Sequence, residues 1–226
     1  VVNKIRFSSI ILLSLLLIGC ASAQTQKGTS SVVSIVNLDC QSCGGEIVDA
    51  ISALDGVHKA TFHKMSVEVQ FRYDPARVDE KDIVDAIEKE GFTVEAGAGK
   101  GTYQAFPHYP EGSDVVIVER DGAKIDLEKH LAPGKYTIID FYAAWCGPCR
   151  KLGESLVGII RDNPHIALRK IDIVDWDRPV AKQHLSGVPQ LPYVRIYGPD
   201  GAFVDDISGL DLPRLKRALV LEEAVD

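Results

Sequence analysis

The chain has 226 residues, enough for one large or two small domains. Its 25 Lys+Arg against 32 Asp+Glu give a net charge of −7 with no basic block, which excludes nucleic acid as an expected partner. The five cysteines, at 20, 40, 43, 146 and 149, form one single residue and two Cys-x-x-Cys pairs, not the pattern of a disulfide-stapled scaffold.

Lys4 and Arg6 precede an apolar stretch over residues 10–18 that only Ser14 interrupts. A bilayer span takes about 20 residues, so this stretch reads as an export signal rather than a membrane helix. It ends in Leu17-Ile18-Gly19-Cys20, which resembles the bacterial lipobox. The resemblance implies that residues 1–19 are a cleaved lipoprotein signal peptide. Cys20 then becomes the first mature residue, carrying a diacylglyceryl thioether and an amide-linked acyl chain. Several acyl chains anchor durably where one does not. The competing reading is an ordinary secretory signal cut near Ala21-Ser22-Ala23. The expected location is the cell envelope, lipid-anchored on the periplasmic face of the outer or inner membrane.

Residues 20–31 are mostly small or polar without apolar periodicity and read as a tether. A first domain is expected over residues 32–96. Residues 32–36 are a β-branched strand, and Cys40-Gln41-Ser42-Cys43-Gly44-Gly45 leads into a helix whose apolar stripe is Ile47, Ile51 and Leu54. Two strands follow around Lys64-Met65, the second alternating through Val67, Val69 and Phe71. A second helix is capped by Asp79, faces the core with Ile83, Val84 and Ile87, and stops at Gly91. Residues 93–95 complete a βαββαβ order, an α+β ferredoxin-like unit. That order, with Cys-x-x-Cys in the first strand-to-helix loop, resembles the heavy-metal-associated domain of copper chaperones and mercury-binding proteins, and Gly91-Phe92 fits that family's aromatic position. The usual Gly-Met-Thr before the first cysteine is replaced by Asn37-Leu38-Asp39. Asp39 places a negative charge beside the thiols, which raises their pKa and favours a cation.

Residues 97–113, rich in Gly and Pro, read as a linker that is flexible in its first half. Tyr103, Phe106 and Tyr109 suit its second half to a domain surface. A second domain is expected over residues 114–226: a strand at 115–118, a short helix at 126–131 and a central strand at 136–142. After the dithiol come a helix carrying Leu152, Leu156, Ile159 and Ile160, a strand at 167–173 and a helical turn at 180–184. A hairpin through Pro199-Asp200-Gly201 and an amphipathic closing helix complete it.

The run Asp140-Phe-Tyr-Ala-Ala-Trp-Cys-Gly-Pro-Cys149 places two thiols where a strand hands over to a helix. Unpaired N–H groups and the helix dipole there favour a thiolate, lowering a cysteine pKa from about 8.5 to roughly 3.5–7.5. Cys146, expected on the exposed side of the turn, is the attacking thiolate, and Cys149 in the first helical turn resolves the mixed disulfide. Ile138-Ile139-Asp140-Phe141, Trp145-Cys146-Gly147-Pro148-Cys149 and Leu191-Pro192-Tyr193 resemble the thioredoxin family, which implies an α/β thioredoxin fold. By that resemblance Pro192 is the cis-proline facing the dithiol, a role for which only the nearby Pro189 competes. Asp140 matches the buried carboxylate that takes the proton from Cys149. Lys170 is either the basic residue that pairs with that carboxylate in the family or a solvated strand residue. Trp145 flanks and shields the thiols.

The expectation is a protein thiol–disulfide oxidoreductase. Gly-Pro between the cysteines resembles the reducing members of the family, so net reductase activity is expected. No cofactor is needed for the redox step. Cys40 and Cys43 suit a two-coordinate soft metal, Cu(I) or another, since zinc wants four ligands and neither His58 nor His63 has a ligand's spacing. The rival reading makes them a second redox pair, the internal substrate of the first. Expected partners are protein thiol/disulfide clients, the membrane through the lipid anchor, and a membrane electron-donor conduit that recharges the dithiol. The alternative function is a Cu(I) or other heavy-metal delivery lipoprotein in which the thioredoxin-like domain only docks or metallates.

Overall fold

The computed structural model describes residues 28–39 and 42–221. The signal segment, most of the tether with Cys20, and Cys40 lie outside the described residues.

The first half forms a four-stranded antiparallel sheet in the order β2-β3-β1-β4, with two helices against it. Its strands are β1 (Thr29–Val36), β2 (Val57–His63), β3 (Glu68–Tyr73) and β4 (Thr93–Ala96), and its helices are α1 (Cys43–Ser52) and α2 (Glu80–Lys89). The apolar stripes close one core in which Ile35, Ile47, Ile51, Val69, Ile83 and Ile87 are wholly buried. Local signals set the helix ends. Asp79 and Asp82 form a reciprocal capping box, each carboxylate accepting from the other's backbone N–H, and Gly91 follows α2 with φ +91°. Gly44, in the first turn of α1, lies so close to Phe62 that a Cβ there would stand 2.1 Å from the ring.

The second half is a mixed five-stranded sheet in the order β5-β7-β6-β8-β9. Its strands are β5 (Val115–Glu119), β6 (Tyr136–Tyr142), β7 (Ile166–Asp172), β8 (Tyr193–Tyr197) and β9 (Phe203–Ser208). The helices are α3 (Gly147–Asp162), α4 (Pro179–His184) and α5 (Leu212–Ala218), with a 3-10 turn at Leu127–His130. β5 and β6 both run parallel to β7, while β8 and β9 continue antiparallel. β6 is central, and Ile138, Ile139 and Phe141 are wholly buried, as a strand covered on both faces requires. Among the described residues no helix is long and apolar enough to cross a membrane.

The linker departs from its expected form, because its first half is pinned. β3 pairs with β1 only as far as Ser34, and the Ile35 C=O beyond would be left open. Thr102 N–H donates to Ile35 C=O at 2.9 Å, Leu38 N–H to Thr102 C=O at 2.9 Å, and Gln104 N–H to Leu38 C=O at 3.0 Å. The polar, glycine-rich segment is thus held by the strand end it completes. Its second half lies on the other domain: Pro107 covers Gly153 of α3, and Phe106 meets Tyr142 edge-on at 4.9 Å.

Candidate active site and dithiol loop

Cys146 is the N-cap of α3, and its sulfur accepts from the Cys149 N–H at 3.1 Å. Pro148 stands in the first turn, where a missing N–H costs nothing. Cys146 and Cys149 are joined in a disulfide with Cα atoms 5.3 Å apart. The Leu191–Pro192 bond is cis, and Leu191 lines the same cleft of about 400 Å³ as Cys146, Trp145 and Pro148. The Trp145 indole N–H donates to Val174 C=O at 2.7 Å, which fixes the ring beside the thiols.

Asp140 and Lys170 are register partners on β6 and β7 and form a buried ion pair through the carboxylate Oδ2. Lys170 is therefore not a solvated strand residue; its side chain is 5% exposed and its ammonium lies 4.3 Å from the Tyr142 ring centroid. The other carboxylate oxygen, Oδ1, is buried with no hydrogen-bond partner. Burial pushes the neighbouring Tyr109 and Tyr142 hydroxyls well above the usual phenol range, with the Asp140 charge adding to it.

The expected exposure of Cys146 needs correction. The residue is only 4% accessible, and Ser42, from the loop that carries the first domain's cysteines, lines the same cleft. Cys43 opens α1 and is disulfide-bonded, so it offers no thiolate to a metal until that bond is reduced. Cys40 and Cys20 lie outside the described residues. Among the described residues no group of three or more His, Cys, Asp or Glu could hold a metal ion.

The sequence reading missed Arg150, next to Cys149. Its side chain is 3% exposed and donates to the backbone carbonyl of Asp39, 111 residues away, and to Ala144 C=O at 2.5 Å. Lys64 was missed too: it pairs with Asp175 at 2.6 Å and lies 5.5 Å from the Trp145 ring centroid. Gly153, a helical glycine one turn beyond Arg150, is covered by Pro107 of the linker.

The heavy-metal-associated domain family matches residues 32–93, and the thioredoxin family matches residues 121–212. Thioredoxin from Chlamydia pneumoniae is 36% identical over 85 residues, covering 38% of this chain and 78% of the relative. Thioredoxin from Chlamydia trachomatis serovar D is 37% identical over 73 residues, covering 32% of this chain and 68% of the relative. The crystal structure of oxidized MerP from Ralstonia metallidurans CH34 is 19% identical, covers 30% of this chain and 96% of that one, and has a TM-score of 0.30. By those thioredoxin matches the chain belongs to the thioredoxin family, with a heavy-metal-associated domain fused ahead of its thioredoxin domain.

Proposed function

We propose that this thiol–disulfide oxidoreductase works as an exported, lipid-anchored reductase whose fused domain binds a soft metal. The observation that carries the redox role is the Cys146–Cys149 pair at the start of α3, in one cleft with Leu191 and following the strand that carries the buried Asp140. In the reduced chain, the Cys146 thiolate attacks one sulfur of a client disulfide, and the client's other sulfur leaves as a thiolate. Cys149 then loses its proton and attacks the Cys146 sulfur. The second client thiol is released and the intrachain disulfide closes, with two electrons passed on. The unpartnered Asp140 Oδ1 suits that carboxylate to receive the Cys149 proton.

The reducing direction rests on Gly147-Pro148 between the cysteines, and the anchor rests on Leu17-Ile18-Gly19-Cys20. A reductase in that setting needs recharging through a membrane conduit that draws on cytoplasmic dithiols. Reductant-driven insulin precipitation tests the reaction: wild type accelerates it and Cys146→Ser does not. Equal rates from the two would defeat the assignment. Metabolic labelling with a fatty acid, lost in Cys20→Ala, tests the anchor.

Delivery of Cu(I) is the second reading, favoured by the family match over residues 32–93. Stoichiometric Cu(I) transfer by a chain lacking both Cys146 and Cys149 would support it.

A further inference from the structure

The first domain is clamped onto the dithiol surface of the second at two points, one in the loop that carries its cysteines and one in the β2–β3 turn. On one side, the guanidinium of Arg150 reaches the Asp39 carbonyl, and its Nε stands 3.8 Å from the Asp39 carboxylate. The Tyr103 and Phe106 rings flank it, their centroids 5.9 and 5.7 Å from the guanidinium carbon. On the other side, Lys64 pairs with Asp175, the residue after the one that receives the Trp145 N–H. Tyr103 joins the two clamps, because its hydroxyl donates to the Lys64 carbonyl at 3.0 Å. Between them Ser42 lines the Cys146 cleft, and the adjacent Cys43 is in a disulfide.

A guanidinium buried to this degree requires oriented acceptors, and those it finds include the very loop that precedes the cysteines. Burial lowers the Arg150 pKa and the Asp39 charge opposes that fall. The Lys64 ammonium holds Asp175 below the usual carboxylate range. Both clamps are made of opposite charges contributed by the two domains, the arrangement of a specific interface.

We propose that Arg150 and Lys64 are positioning residues that hold the Cys43 disulfide against Cys146, making it the intramolecular substrate of the catalytic dithiol. The proposal rests on Cys146 being the attacking thiolate. In the reduced dithiol, the Cys146 thiolate attacks one sulfur of the disulfide that engages Cys43. That S–S bond breaks, and the displaced sulfur leaves as a thiolate and takes a proton. Cys149 gives up its proton and attacks Cys146, releasing the second thiol. The 146–149 disulfide forms, the Cys43 disulfide becomes two thiols, and no outside reactant enters. Tethered this way, the loop faces Cys146 at an effective concentration on the order of millimolar, above that of most dissolved clients.

The test uses the full chain carrying Cys149→Ser, which cannot resolve a mixed disulfide. With the first domain oxidised, acid quenching, alkylation and peptide mapping should find Cys146 linked to the peptide that carries Cys43. The yield should be unchanged over about two orders of magnitude of dilution, as an intramolecular step requires. Adding Lys64→Glu should slow its formation about fivefold, the effect of one partly exposed ion pair. Adding Asp175→Lys as well should restore the rate, which separates docking from misfolding. A link only between two chains, or to a peptide other than the one that carries Cys43, would overturn the proposal. So would a first-domain disulfide left intact beside an alkylatable Cys146 in a protein whose wild type reduces insulin. That last result would leave the oxidoreductase reading standing.

Discussion

Asp140 and Lys170 hold each other inside the thioredoxin domain, the carboxylate wholly buried and the ammonium against the face of Tyr142. The pair lies between neighbouring strands of the central sheet, with both side chains buried. Lys170→Met should therefore destabilise the second domain by about 3–5 kcal/mol, because it strands a buried carboxylate. The double variant with Asp140→Leu should recover most of that loss. Urea unfolding of the four species closes the cycle, and equal losses in the single and double variants would refute it.

Asp140→Asn keeps the shape but cannot accept a proton. Attack by Cys146 should be little affected, while resolution by Cys149 should slow about 10²-fold. Rapid quenching of a single turnover should then show the mixed disulfide accumulating in the variant and not in wild type.

Gly44→Ala would press a methyl group into the Phe62 ring at the first turn of α1. A loss of about 1–3 kcal/mol in the first domain is expected, partly relieved by Phe62→Leu. Thermal unfolding measures it. Competition for Cu(I) with a colorimetric chelator should show weaker capture by the reduced variant, since Cys43 stands at the start of the same turn.

His184 supplies a pH signature. Burial lowers its pKa below the ordinary 6.5, and the Arg195 charge acts the same way against the bond to Ile125. The unfolded chain therefore takes up a proton that the folded chain resists. The stability from neutral His184 is present above about pH 6.5 and is lost as pH falls below it. The denaturation midpoint of wild type should drop on acidification through this range more steeply than that of His184→Asn. Parallel curves would remove His184 as the cause.

What could be read in advance was whatever is local or periodic. The dithiol motif, the β6 run that carries Asp140, the Asp79 cap and the order of strands and helices all depend on neighbours within a few residues. What escaped depends on distant contacts. Arg150 is a charged residue in a helix like any other until Asp39, far upstream, reaches it. Ser42, from another domain, lines the Cys146 cleft, a neighbour that no property of the motif encodes. Residues 97–104 carry no strand pattern because their backbone, not their side chains, completes the open end of β1.

The pinned linker leaves almost no slack. Gln104 is still bonded to Leu38, and Phe106 is already packed on Tyr142. The two halves therefore cannot swing apart like beads on a string. Parting them means peeling the strap from β1 or lifting it off α3, so separation is a cooperative rupture with its own barrier rather than free tumbling.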